Sequence, residues 1–182
     1  MTTQTGALLQ ESGYPDDILV EDASRLVITQ DLPSIRTALA RLVAIEEALT
    51  ITDPTSQTIR KAWKTAPPAA TALADHSFIN IPTLIGVSWH VGLEVESWEI
   101  NAQFFQGEGT SETDFRIDST LEFYIQFLTA LRTHVTLSGA VTQMRPPRGS
   151  SPTVGTLGWA GKDYIGFSLI LPVEMKRGVT IS

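Results

Sequence analysis

The sequence predicts an α+β fold with a mixed or antiparallel sheet, a long β-ribbon and two packed helices. Two segments, 34–49 and 114–135, repeat apolar residues at the spacing of three and four that is typical of one helix face. Between them, residues 89–105 alternate apolar and polar residues as a strand does. Shorter strand-like segments lie before and after the second helix. Separate runs of helices and strands favour an α+β fold.

The chain has 182 residues, of which 42% are hydrophobic, and this size fits one domain. A chain of this length buries roughly 70% of its unfolded surface, so it needs no disulfide or metal to fold. Residues 1–30 mix Gly, Ser, Pro and acidic residues with one short apolar segment. We therefore expect an N-terminal arm or extension over 1–30 and a single α+β domain over 31–182.

The composition excludes several classes of function. The chain has no cysteine, which removes thiolate nucleophiles, iron–sulfur clusters and cysteine-ligated zinc. Its formal charge is −7, with 13 Lys and Arg against 20 Asp and Glu. Proteins that grip nucleic-acid phosphates usually have a basic surface, so sequence-independent DNA binding is not expected. No secretory signal and no apolar run of membrane-spanning length is present, so we expect no membrane association.

The first helix is predicted to begin at Asp31 or Ser34, because either side chain can cap it and Pro33 suits a first turn. Asp53-Pro54 ends the segment. The residues expected on its buried face are Ile35, Leu39, Leu42, Ile45 and Leu49.

Two short strands are expected next. The first covers Ile59 to Lys64 and is stopped by Pro67-Pro68, because proline cannot donate to a ladder. The second covers Phe78 to Ile85, and Pro82 places part of it at an edge of the sheet.

The segment Trp89 to Phe105 is interpreted as one long strand whose alternation changes phase at Glu96-Ser97. Because the side-chain period of a strand is two, this change needs either a bulge or a change in which face is covered. About sixteen residues at ~3.3 Å each span ~50 Å, whereas a compact domain of this length is roughly 40 Å across. The strand therefore either bends sharply at the bulge or is covered at one end by another molecule.

The second helix has the clearest helical pattern, with Asp118 as a possible cap and Arg132 and His134 near its C-terminal end. After it we expect strands at 140–144, 153–159 and 164–175. The apolar residues at helical spacing are Ile117, Leu121, Tyr124, Ile125, Leu128, Leu131 and Val135.

The search for catalytic chemistry gives candidates but no signature. Glu94 and Glu96 share one strand face about 7 Å apart, a separation that a glycosidase can use, and with Glu99 they also fit a solvated polar face. No nucleophile elbow, phosphate loop or dinucleotide motif occurs. The three histidines lack a recognisable metal spacing; they are His76, His90 and His134. No catalytic residue, metal site or cofactor is therefore predicted.

The order of elements resembles that of the tail terminator proteins of long-tailed bacteriophages, also called head–tail joining or neck proteins, and of their equivalents in gene transfer agents. The similarity covers about residues 31–175. It rests on the opening helix Ser34 to Leu49, the segment IRKAWKTAPPA, a strand ending near IPTLIG, the ribbon GVSWHVGLEVESWEINAQFF and the helix STLEFYIQFLTALRTHV.

The resemblance implies a structural virion protein without catalytic residues. Its subunits would form a homo-oligomeric ring, usually a hexamer, that ends tail-tube growth and joins the tail to the head. The implied partners are the tail tube protein and the head connector or stopper protein, with DNA passing through the channel without specific binding.

A ribbon longer than its own domain offers an edge to a neighbouring copy. Arg145 and Arg148 lie in the polar loop RPPRGSSP and are candidate loop contacts, or else simply solvated. The candidate inter-subunit residues are Trp98, Ile100, Phe104, Phe105, Leu169, Leu171 and Met175.

Other functions remain open at this point. The chain could be a different tail component, such as a tail tube protein or connector stopper, or an adaptor of a secretion or contractile injection system. An unrelated alternative is a small α+β hydrolase or ligand-binding domain that uses Glu94, Glu96 or His90.

Overall fold

The computed structural model describes residues 26–27, 34–51, 56–68, 73–108, 113–147, 154–178 and 180–181, and it confirms the α+β fold. Helix α1 spans Ile35–Glu47 and helix α2 spans Thr113–Thr133. The strands within this part of the chain are β1 (Leu26–Val27), β2 (Thr50–Ile51), β3 (Gln57–Thr58), β4 (Lys61–Trp63), β5 (Ser77–His90), β6 (Leu93–Glu108), β7 (Gln143–Met144), β8 (Gly155–Trp159), β9 (Lys162–Gly178) and β10 (Thr180–Ile181).

A mixed sheet of six strands forms the centre of the fold, in the order β4-β5-β6-β9-β7, with β8 also paired to β9. The β4–β5 pair is parallel, and the other pairs are antiparallel. Most of the predicted N-terminal arm lies outside the described residues, but β1 pairs with β10 beyond the end of β9.

The predicted strand Trp89 to Phe105 is wrong in one respect, because it contains a hairpin turn. His90 pairs with Leu93, so Val91 and Gly92 form a two-residue turn between β5 and β6. Gly92 has a φ of 71°, a conformation that glycine adopts without steric cost. The strand that precedes this turn is β5, which is much longer than the predicted Phe78–Ile85.

The change of phase at Glu96-Ser97 does not come from a bulge in β6. The pairing of β6 with β9 continues without interruption from Leu93 to Phe105. The irregularity lies opposite, in β5, where the register skips Ile85. The alternation changes because the face that carries Trp98, Ile100 and Phe104 carries Glu94 and Glu96 nearer the turn, where both pair with Arg177.

The main core lies between one face of the sheet and the two helices, and we call this the helix-side face. Phe104 and Phe167, on neighbouring strands, are fully buried, with ring centroids 5.2 Å apart. From α2, the Phe123 ring lies 4.9 Å from that of Phe104, and the Phe127 ring lies 5.1 Å from that of Phe78. These rings join the longest strands to the longest helix.

A smaller cluster lies on the opposite face of the sheet, since side chains alternate along a strand. Its buried members are Leu73, Ile79, Phe105 and Tyr164. Gly166 allows β9 to approach β6 closely here, because a Cβ atom at this position would clash with the carbonyl oxygen of Phe104. Apolar residues thus cover both faces of the sheet at this end of the molecule.

Helix α1 begins as predicted. The Ser34 side chain accepts a hydrogen bond from the backbone N–H of Thr37 at 3.2 Å, so Ser34, rather than Asp31, is the N-cap. Leu39 and Leu42 are buried, as expected. Asp118 does not begin α2, because that helix already starts at Thr113.

We expect Phe104→Ala to destabilise the folded chain by about 3–5 kcal/mol, the usual cost of truncating a buried phenylalanine. The measurement is the free energy of unfolding by urea at a low protein concentration. Ile125→Ala, on the exposed side of α2, is the control and should cost less than about 1 kcal/mol. An unchanged unfolding curve for Phe104→Ala would show that Phe104 is not a core residue.

Candidate assembly surface

The residues predicted to form the contact between subunits lie instead in the core of the single chain. Six of them are at most 7% exposed, and Trp98 is partly buried against the same core. The prediction failed because it assigned the covered half of the ribbon to a neighbour, whereas the chain covers that half with its own helices. The six are Ile100, Phe104, Phe105, Leu169, Leu171 and Met175.

The two helices cannot cover the whole sheet, because the strands are longer than α2. The 16 residues of β6 span ~50 Å at ~3.3 Å per residue. The 21 residues of α2 span ~31 Å at ~1.5 Å per residue. The difference of ~20 Å corresponds to about six residues of each strand. We call this end of the sheet the distal ribbon; it consists of residues 83–99 and 173–178, of which 83–92 are all exposed, whereas Val173 and Met175 are still buried.

The distal ribbon exposes large apolar side chains. Trp89 is 67% exposed, and every residue from 83 to 92 is exposed. Leu84, Val87 and Trp89 share the helix-side face, because they lie opposite Trp98, Glu96 and Glu94. A contiguous patch of exposed apolar residues usually marks a surface that interacts with another molecule. The exposed members are Leu84, Ile85, Val87, Trp89 and Val91.

The outer edge of β5 is also unpaired along the distal ribbon. Among the described residues, β4 pairs only with Ser77 to Ile79, so β6 is the single described neighbour of β5 from Asn80 to His90. Free edges are normally protected by charged residues, proline or bulges. Residues 83–90 contain no Asp, Glu, Lys or Arg, and the protection consists of Pro82 and the bulge at Ile85. This edge can accept a further strand.

The three glutamates considered as candidate acids, Glu94, Glu96 and Glu99, all lie in the distal ribbon. Glu94 and Glu96 lie on the helix-side face with Arg177, whose guanidinium is 2.9 Å from one carboxylate oxygen of Glu96 and 4.0 Å from one of Glu94. The indole N–H of Trp98 donates to Glu96 at 2.9 Å. Glu99 points to the other face. The carboxylate pair is therefore held by an arginine and an indole, which favours a structural role in stiffening the ribbon.

Helix α2 has a second apolar face, which its own chain leaves largely uncovered. The deeply buried face carries Phe123, Phe127 and Leu131. Most of the apolar residues that the sequence places at helical spacing, though not Leu131, lie on a face turned away from it by roughly a quarter of the helix circumference, and Ile125 there is 56% exposed. A helix that is apolar on so much of its circumference is normally covered by more than one neighbour. We call this the outer face of α2; it consists of Ile117, Leu121, Tyr124, Ile125 and Leu128.

The outer face of α2 continues into a groove of about 490 Å³ between the C-terminal half of the helix and the segment that follows β7. Its lining includes two arginines and no acidic residue. Apolar side chains from the helix, from β7, from β9 and from the proline pair form the rest. The described lining residues are Tyr124, Leu128, Leu131, Arg132, Val135, Met144, Arg145, Pro146, Pro147 and Leu169.

Of the two predicted loop contacts, Arg148 lies outside the described residues. Arg145 is anchored on the sheet: its backbone N–H donates to the carbonyl of Pro172 at 2.9 Å, and its guanidinium pairs with Glu174 at 3.0 Å. Salt bridges from Arg145 and Lys176 lower the pKa of Glu174, with the hydrogen bond from Lys176 as the largest contribution. Arg145 therefore borders the groove from a fixed position.

One carboxyl group is completely buried, although the sequence gave no sign of it. Glu46 of α1 accepts a hydrogen bond from the side-chain amide of Asn80 on β5 at 2.8 Å. That amide also donates to the carbonyl oxygen of Trp63 at 3.1 Å. Burial raises the pKa of Glu46 well above its ordinary range; the bond from Asn80 lowers it, and Glu47 raises it further. The group ties α1 to the sheet and is closed to any substrate.

The histidines do not assemble a site. His76 is half-buried beside Phe123, and its Nε2 lies 3.2 Å from the amide nitrogen of Gln106. Burial lowers the pKa of His76, so the ring is neutral and accepts this bond. His90 and His134 are exposed elsewhere. Within the described segments, no three His, Asp or Glu residues stand close enough to hold a metal ion.

A comparison with models of protein families finds no match for this chain, and neither does a comparison with curated protein sequences. Neither of the described helices is long and apolar enough to cross a membrane.

We expect the buried carboxyl of Glu46 to make stability depend on pH. Its raised pKa means that the folded chain keeps a proton that the unfolded chain has released. The stability from the neutral group is therefore complete below the ordinary pKa of 4.5 and is lost as the pH rises from there through the raised folded-state pKa. The variant Glu46→Gln should gain stability relative to the natural chain over this range.

Urea unfolding of both chains at several pH values measures this difference. Glu122→Gln, on the exposed side of α2, is the matched control, because it removes the same charge from a solvated position. A difference between Glu46→Gln and the natural chain that stays constant with pH would contradict the assignment.

Proposed function

We propose that this chain is a structural virion protein of the tail terminator, or head–tail joining, type. Copies of it form a ring, usually of six, that ends growth of the tail tube and joins the tail to the head connector. The observation that carries the proposal is the distal ribbon, which extends beyond the reach of the chain's own helices. A subunit with an unpaired edge and uncovered apolar side chains gains stability when a neighbour covers them.

The order of elements supports the proposal, because helix, strands, ribbon, helix and closing strands follow one another as the resemblance implies. The corrected interface supports it as well. A neighbour has no need to cover the second half of β6, but it can cover the hairpin end, where apolar residues are exposed. The proposed interaction surface therefore lies about half a strand away from the one expected from the sequence. In this proposal a partner still covers it.

Charge supports a channel through which DNA passes without being held. The chain has a formal charge of −7. Copies of an acidic subunit around a central opening repel the phosphate backbone, so the double helix can slide. The tail tube protein and the head connector or stopper protein are the partners above and below the ring.

A different position in the tail follows from the same surface. A tail tube protein differs in that its subunits stack into long polymers. The form of the assembly distinguishes the two functions: a single closed ring fits a terminator, whereas extended tubes fit a tube protein.

We expect the purified chain to assemble into closed rings with a central opening at micromolar concentration. Native mass spectrometry measures the number of copies, and electron microscopy of the same sample shows the shape. Extended tubes would assign the chain to the tail tube instead. A strict monomer under all assembly conditions would contradict the proposal.

In a phage that carries this gene, a nonsense mutation should give tails of irregular length and heads without tails, because nothing ends the tube or joins it to the connector. Supplying the natural chain from a plasmid should restore joined particles. Normal particles without the protein would contradict the proposed function.

A further inference from the structure

We propose that the distal ribbon of one copy docks in the groove beside α2 of the next copy, with Trp89 as the anchoring side chain. The inference rests on the proposed function, because it assumes that the chain assembles with itself. It goes further by naming the two surfaces that meet and by making the contact head-to-tail.

The two apolar surfaces lie too far apart to cover each other within one chain. Trp89 lies opposite Glu94, and Glu94 lies opposite Arg177 on β9. Along β9 the groove extends from the level of Val173, which pairs with the lining residue Met144, to Leu169, and these lie four and eight residues before Arg177, or ~13 and ~26 Å along the strand. The ribbon has three paired strands and cannot fold back over this distance. Each surface therefore needs a second copy.

The groove has the size and chemistry to receive the end of the ribbon. Its volume of about 490 Å³ lies within the range of ~300–1,000 Å³ that encloses whole small molecules, so an indole and a neighbouring aliphatic side chain fit. Tryptophan is among the residues that most often dominate binding energy when they fill a pocket. Trp89, Val87 and Leu84 project from one face of the ribbon, so all three can enter together.

Charge favours the groove over a second ribbon as the partner. The distal ribbon contains four glutamates against Lys176 and Arg177, a net charge of −2. Two ribbons packed against each other would bring eight glutamates together. The groove instead offers Arg132 and no acid among its described lining residues, while the guanidinium of Arg145 is already paired with Glu174. Rim charges of opposite sign guide the encounter and fix the register of the contact.

A contact between two different surfaces propagates from copy to copy. If the rotation between copies closes, the result is a ring; if it does not close, the result is a helical filament. A contact between two identical surfaces would stop at a dimer. The placement of ribbon and groove on one chain therefore supplies the kind of contact that a ring needs.

The complete absence of native cysteine permits a direct test by crosslinking. Trp89→Cys places a thiol on the ribbon, and Val135→Cys places one at the groove, where the native side chain is 52% exposed. Because Trp89→Cys removes the anchoring side chain, equal amounts of the two single variants are mixed at a protein concentration well above that at which the natural chain assembles, and are then treated with a short bis-maleimide. We expect a crosslinked dimer in the mixture that neither variant gives alone, and a ladder up to the full ring from the double variant.

Matched controls come from positions close to each thiol. Ser88→Cys lies one residue from Trp89 on the opposite face of the ribbon, and Thr133→Cys lies two residues from Val135 on the exposed end of α2. Mixtures that contain either control should crosslink at least tenfold less. Because Trp89 and Val135 are exposed, circular dichroism of each variant should match that of the natural chain.

A second measurement uses no crosslinker. Trp89→Ala should raise the protein concentration needed for assembly at least tenfold, as measured by analytical ultracentrifugation. Ser88→Ala should leave this concentration unchanged. The intrinsic fluorescence of Trp89 should also shift to shorter wavelength when the natural chain assembles. The contribution of the other tryptophans to this shift is measured by recording the fluorescence of Trp89→Phe under the same conditions.

The outcomes separate this inference from the proposed function. Rings without the mixed crosslink would overturn the inference alone. A Trp89→Cys dimer that forms without Val135→Cys would show that two ribbons meet, and would likewise overturn it. A ring whose ribbon crosslinks only after a tail or connector protein is added would mean that the ribbon faces that partner. A natural chain that never assembles would overturn both proposals.

Discussion

The structure depends on a difference in length between its strands and its longest helix. Strands β6 and β9 have 16 and 17 residues and extend over ~50 Å, whereas the 21 residues of α2 extend over ~31 Å. A core forms only where both are present, and its density comes from the phenylalanines of α2 packed on those of the sheet. Beyond the end of the helix the sheet continues to its hairpin end, where every residue from 83 to 92 is exposed. The distal ribbon therefore exists because the hydrogen-bonded strands extend further than the helices that cover them.

The ribbon is a rigid projection and not a loose hairpin, because β9 supplies a third strand as far as Gly178. Its polar face residues add to this stiffness: Arg177 bridges Glu94 and Glu96, and the latter also accepts from Trp98. A preorganised surface loses little conformational entropy when it binds, so more of its contact energy is available for association. The carboxylates that first suggested chemistry therefore have a mechanical explanation.

Helix α2 shows why a single amphipathic pattern can be misread. Phe123 and Phe127 are buried, while Ile117, Leu121 and Ile125 are exposed, although both sets repeat at helical spacing. Large aromatic rings fill the space between helix and sheet, and the aliphatic residues are left outside. The helix therefore has one apolar face inside its own domain and a second that its own chain covers only in part. The outer face of α2 and the distal ribbon have the same origin, since each is apolar surface that one chain cannot bury.

The sequence alone determined the kinds of elements, their order and the edge position of β5, and it reduced the N-cap of α1 to Asp31 or Ser34, because local periodicity, capping and proline chemistry act over a few residues. Gly92 was the sequence signal for the hairpin turn. The alternation of apolar and polar residues continues across this turn, so β5 and β6 were read as one strand. The tertiary structure alone decided which half of the ribbon is covered, which face of α2 is buried, and that Glu46 meets Asn80 inside the fold. These depend on how far each layer reaches and on contacts between residues distant in sequence, which no local pattern of apolar and polar residues contains.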